Sequence, residues 1–132
     1  AANLPQLERS CLDWMLDDRV YVQRLGVVVL MSLLSTESFS PEHLQAVAAL
    51  AGSEEYYVRV AVAWYFTEAL ARQECAALPW FALADSSGST DSPGLPALTL
   101  RMAITKAIES RRISDELKAE LRQIRSTLPR RS

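Results

Sequence analysis

The sequence is short of the residues from which compact catalytic centres are usually assembled. It has one histidine, two cysteines and four glycines among 132 residues. Cys11 and Cys75 form no CxxC pair and stand near no histidine cluster, so no zinc site, disulfide framework, metal or other cofactor is expected. Thiols used this sparingly suit a reducing cytoplasm. There is no nucleophile–histidine–acid pattern and no glycine-rich phosphate loop. His43, the lone histidine, reads as part of an exposed first helical turn with no acid–base partner that the sequence identifies, and it is not expected to be catalytic. Long apolar runs are also missing: the longest lies within residues 25–34, too short to cross a bilayer, and no charged segment precedes a cleavable apolar one. No membrane contact is expected. Finally, no Val/Ile/Thr alternation is set off by hairpin turns, which excludes a sheet.

What the chain does have is helical repetition. The stretch YVQRLGVVVL from Tyr21 returns as YYVRVAVAWYF from Tyr56, about 36 residues later, and a weaker copy, TLRMAITKAI, follows from Thr99 with Arg101 in the place of Arg59. That period predicts stacked antiparallel helical pairs, which commonly present a surface to a partner. With 49% hydrophobic residues, the chain can bury one substantial core, and residues 1–132 are read as one domain.

About seven helices are expected. The first covers Leu4–Leu16 and ends at Asp17-Asp18. The second, from Val20 to about Leu34, is apolar nearly all round, as suits a helix buried between layers. Ser40-Pro41-Glu42 supplies a cap, a first-turn proline and a first-turn acid for a third helix, to about Ala51. Ser53 caps a fourth, to about Arg72, in which Val58, Ala61, Val62, Tyr65, Phe66 and Ala69 share one face while Arg59, Ala63, Trp64, Thr67 and Ala71 take the other. A fifth runs from Glu74 to Ala84, kinked or divided by Pro79. Residues 85–96 are small, polar and rich in glycine and proline, and are predicted to be a flexible loop. The sixth helix spans Ala97–Ser110, and Ser114 caps the seventh, to about Leu128.

Charge is distributed unevenly. The formal charge is −2 overall, but it is −5 over residues 1–55, −2 over 56–100 and +5 over 101–132. A basic C-terminal third on an acidic chain suits an anion-binding face, and equally a solvated helix surface.

The segments DDRVYVQRLGVVVLMSLL, EEYYVRVAVAWYFTEALA and KAIESRRISDELKAELRQIR resemble successive pieces of the AlkD-like DNA alkylation repair family, from about Trp14 to Arg125. The resemblance implies HEAT-like (ARM-type) repeats in an α-α superhelix, and DNA glycosylase activity on alkylated, positively charged purines. It covers the C-terminal part of a family member; the tryptophan-rich segment with the catalytic aspartate has no counterpart before Ala1, so no catalytic residue is assigned. Arg24 matches a family arginine that faces DNA phosphate near the lesion, and Trp64 a cleft tryptophan that contacts the lesion-bearing nucleotide. Trp14 also matches a family tryptophan and is read as packing. Val60 and Thr67 depart from the pattern, standing where glycosylase-active relatives often carry a basic residue and an arginine.

Phosphate supplies most of the affinity of a DNA-binding surface, so cations spaced along rigid helices are what such a surface needs. Arg24, Arg59, Arg101, Lys106, Arg111 and Arg112 can form that row, with Trp64 as the aromatic that meets a base or sugar. The alternatives stay open at this point. Arg24 can pair with Asp18 or with helix-end carbonyls, Trp64 can fill inter-helix space, and Arg111-Arg112 can balance a helix dipole. Two readings result. In the first, the chain is the DNA-binding C-terminal portion of an AlkD-like protein, takes double-stranded and alkylated DNA, and self-associates through an exposed N-terminal repeat face. In the second, it is a non-catalytic HEAT-like module for protein–protein interaction.

Overall fold

The apolar spacing of residues 4–34 produces an antiparallel helical pair. The computed structural model describes residues 4–84 and 93–128. In it, α1 (Leu4–Met15) packs along α2 (Val20–Leu30). Cys11 and Met15, one turn apart on α1, are buried against α2. Gly26 makes the close approach possible, because a Cβ there would lie 2.7 Å from the Cys11 carbonyl oxygen. The last turn of α2 tightens into a 3₁₀ turn over Met31–Leu33, where Ser32 Oγ donates to the Val29 carbonyl and Thr36 Oγ1 to that of Leu33. The expected single helix to Leu34 is therefore divided. Nor is α2 enclosed on all sides as its composition suggested: Tyr21 and Leu25 are exposed, because no layer covers that face.

The helix α3 (Pro41–Ala48) starts as expected, with the Glu42 N–H donating to Ser40 Oγ. His43 differs from expectation, being only 2% exposed. Its Nδ1 accepts from the Ser40 N–H and its Nε2 bonds the Glu8 carboxylate on α1. The acceptor role of Nδ1 places the proton on Nε2. Both ring nitrogens are thus engaged in joining α1 to the start of α3, a contact across 35 positions of sequence.

The helix α4 (Tyr56–Arg72) begins three residues after Ser53, whose hydroxyl accepts from the Glu55 N–H. All six residues assigned to its inner face are buried. Ala63 and Thr67 are buried as well, because a further helix packs over the arc expected to be open. After α5 (Glu74–Ala77), Pro79 falls in a 3₁₀ turn over Leu78–Trp80, so it divides the predicted fifth helix. The chain then leads to α6 (Ala97–Glu109) and α7 (Asp115–Ser126), whose Ser114 hydroxyl caps the Leu117 N–H. Most of the predicted loop 85–96 lies outside the described residues. Within its described end, Leu95 is fully buried and exchanges backbone hydrogen bonds with Ala82 and Ala84.

Seven α-helices and no strand occur among the described residues, so the fold is all α. α2, α4 and α6 lie side by side and parallel. Arg24 meets Tyr57 and Arg72 meets Ser35 between the first two, and Thr67 meets Ala103 between the second and third. Those last two pairs are 37 and 36 residues apart, which is the sequence period expressed as contact. One apolar cluster runs from Cys11 through Phe66 and Ile104 to Leu128 and joins the layers. No helix among the described residues is long and apolar enough to cross a membrane.

Candidate nucleic-acid interface

Each of the three parallel helices carries an exposed stripe. The fifth residues of α2, α4 and α6 are Arg24, Val60 and Arg101, and the ninth are Val28, Trp64 and Thr105. All six are partly or well exposed, whereas the residues between them largely face the core. A stripe recurring at three- and four-residue steps is what one open face of a helix presents. Three such stripes side by side make a continuous surface.

Arg24 makes no ion pair among the described residues, and neither Asp18 nor a helix-end carbonyl holds it. Its guanidinium carbon lies 6.0 Å from the centroid of the Tyr57 ring, and its Nε is buried without a hydrogen-bond partner. Stacking on an aromatic face orients an arginine while leaving its terminal nitrogens free to bond elsewhere. Arg59 is differently placed. One position off the stripe, it turns back to donate to the Ser53 carbonyl at 2.7 Å and lies over the Tyr56 ring, fastening the start of α4.

Trp64 is 42% exposed, too open for a core residue. It lines a concavity of about 300 Å³ between α4 and α6 with Thr67, Glu68, Lys106, Glu109, Ser110 and Arg112. A second concavity, of about 380 Å³, adjoins it through Lys106 and Glu109 and takes in Tyr56, Val60, Arg101, Met102 and Thr105. Within this groove Arg112 donates to the Glu68 carboxylate at 3.0 Å, so its charge is partly spent inside the chain. Arg111 is exposed in the same turn, and Arg101 reaches the Leu128 carbonyl at 3.4 Å.

Thr67 is not an open groove position. Its hydroxyl lies 2.9 Å from the Ala63 carbonyl and 3.2 Å from that of Ala103, so it bridges α4 and α6 in a nearly dry setting. An arginine in its place would have to displace that contact. Val60, by contrast, is partly exposed and lines the larger concavity, where a longer side chain has room.

Ahead of α2, Arg19 holds the Asp17 carboxylate with two side-chain hydrogen bonds and keeps its pKa near 2. The Gln23 amide donates to the Asp17 carbonyl, which fixes the turn from which Tyr21 projects. Sequence reasoning missed Glu68, Tyr57 and Arg125, the last of which crosses from α7 to donate to Thr105 on the stripe. Their signal is helical phase relative to Trp64 and Arg24, which can be read only once the helix starts are known. No cluster of three or more His, Cys, Asp or Glu able to hold a metal ion occurs among the described residues.

The model of the DNA alkylation repair enzyme family matches residues 1–107. The match takes in α1 through most of α6, including Arg24, Arg59, Trp64, Arg101 and Lys106, and stops short of Arg111 and Arg112. No curated protein and no solved structure matches the chain.

Proposed function

The chain belongs to the DNA alkylation repair enzyme family, and on that footing we propose that the α2/α4/α6 face is its DNA-binding surface. The chain is then the DNA-holding, HEAT-like portion of an AlkD-like repair protein, and its partner is duplex DNA carrying alkylated, positively charged purines. One observation carries this reading. The unpaired guanidinium of Arg24 and the partly exposed indole of Trp64 share a single surface of parallel helices with Arg101 and Lys106. Rigid helices keep such cations at fixed separations, and binding them to phosphate releases counterions. Trp64, between Lys106 and the Glu68–Arg112 pair, meets the lesion-bearing nucleotide.

Excision of a base needs stabilisation of positive charge on the sugar and a carboxylate beside the attacking water. Of the two carboxylates that share the concavity with Trp64, Glu68 is tied to Arg112 and Glu109 is exposed at the end of α6. In this reading the chain grips DNA and does not itself break the glycosidic bond. Self-association belongs to the same proposal, through the outer side of α1, at whose end Leu16 is 84% exposed.

Fluorescence anisotropy with duplex DNA across a salt series tests the DNA face. The expected result is binding at low salt that weakens with a log–log slope of about −0.9 per phosphate contacted. Arg24→Ala should make that slope shallower by about 0.9 and leave the thermal midpoint nearly unchanged. Absence of binding at low salt overturns the reading. It would favour a helical module for a protein partner, which the exposed Tyr21, Leu25 and Leu98 on the same face would suit. Incubation with DNA containing 7-methylguanine should release no base, and release would show that the chain carries its own catalytic group.

A further inference from the structure

Two turns before Trp64, about 12 Å along the axis of α4, Tyr56 lies at the edge of the larger concavity. It is 57% exposed, which is unusual for a tyrosine packed among helices. Its ring is nonetheless held in place. The Arg59 guanidinium carbon lies 6.0 Å from its centroid, and the Tyr57 ring meets it edge-on at 5.3 Å and 71°. The same concavity offers Val60 and Met102 as apolar walls and the exposed Lys106 as a cation. Its volume of about 380 Å³ falls within the range of small-ligand sites.

A fixed aromatic ring, apolar walls and a nearby cation fit one ligand chemistry well, that of a nucleotide whose base is free to stack. In an intact duplex the faces of the bases are already covered by their neighbours, so a ring beside the groove gains nothing from them. A base in a gap or a single-stranded stretch has open faces, and stacking on an aromatic side chain is tolerant of sequence. We propose that Tyr56 and the concavity it shares with Val60, Met102 and Lys106 form a binding site for an unpaired nucleotide, so that the chain prefers DNA with a gap or single-stranded stretch over an intact duplex. This rests on the DNA-binding reading of the α2/α4/α6 face and goes beyond it, because neither Arg24 nor Trp64 requires an unpaired base elsewhere in the strand. The phosphate of the stacked nucleotide lies towards Lys106, and the continuing duplex runs on towards Trp64.

The test compares anisotropy on an intact duplex with that on the same duplex carrying a five-nucleotide gap, at one salt concentration. The readout is the ratio of the two affinities. The gapped duplex should bind about tenfold more tightly, the effect of one added stack. Tyr56→Ala should bring that ratio close to one. Tyr56→Phe should preserve it, because the ring stacks without its hydroxyl, and Tyr56 is exposed enough for both variants to fold. Equal affinity of the wild-type chain for the two DNAs overturns the proposal, as does a Tyr56→Ala variant that keeps the full preference. Binding to neither DNA removes the DNA face itself, an outcome distinct from duplex binding without preference.

Discussion

Val60→Arg would add a cation to the exposed face of α4, between α2, which carries Arg24, and α6, which carries Arg101. If that face meets phosphate, one added contact should steepen the log–log salt dependence of duplex binding by about 0.9. Between 50 and 200 mM salt the variant should therefore lose about 3.5-fold more affinity than the parent chain, having started tighter at the low end. Val60 is partly exposed and lines the same concavity as Met102, so the arginine stem can lie over an apolar wall while its head reaches solvent. The stability cost should stay below about 1 kcal/mol. Anisotropy at four salt concentrations and a thermal melt of the same samples measure both quantities. A folded variant with an unchanged salt slope would refute the placement of this face against DNA.

Three further predictions follow from packing. Thr67→Val should cost about 1 kcal/mol in urea unfolding through loss of the hydroxyl between the Ala63 and Ala103 carbonyls, with duplex affinity unchanged. Thr67→Arg should cost considerably more, because it forces a charge into that contact. Gly26→Ala would drive a methyl group to 2.7 Å from a backbone oxygen and 2.8 Å from Met15 Cγ. Overpacking of about 1–3 kcal/mol against a helix-propensity gain of about 1 leaves a net loss of up to about 2 kcal/mol, seen as a lower thermal midpoint. Burial pushes the Cys11 thiol up to about 11 from 9.0. A raised pKa contributes stability that is complete below the unfolded value, so unfolding free energy should fall as pH rises from about 9 to 11, and Cys11→Ala should flatten that decline.

Much of the fold could be read from apolar spacing and caps, because helix starts depend on nearby residues. Ser40-Pro41 and Ser114 each fix a helix start within a few residues of sequence. The period of about 36 residues likewise became the spacing of real contacts, as Thr67 with Ala103 shows. What stayed hidden depends on partners far apart in the chain. The burial of His43 requires Glu8 on another helix, and the occupation of Arg112 requires Glu68, 44 residues earlier. For the site, residue types suggested Arg24 and Trp64, but only helix phase separates them from Arg59, which is turned away to the Ser53 carbonyl.

The two outer arginines, Arg24 on α2 and Arg101 on α6, also act as a ruler. Neighbouring packed helices stand about 8–10 Å apart, so Arg24 and Arg101, two helices removed, are separated by roughly 16–20 Å across the face. A DNA strand advances about 3.4 Å per base along its axis, and that separation corresponds to about five or six bases. A strand laid across the three helices would meet these two cations about half a helical turn apart. If this face holds DNA, the distance between the two outer arginines would limit how large a distorted stretch could be accommodated there.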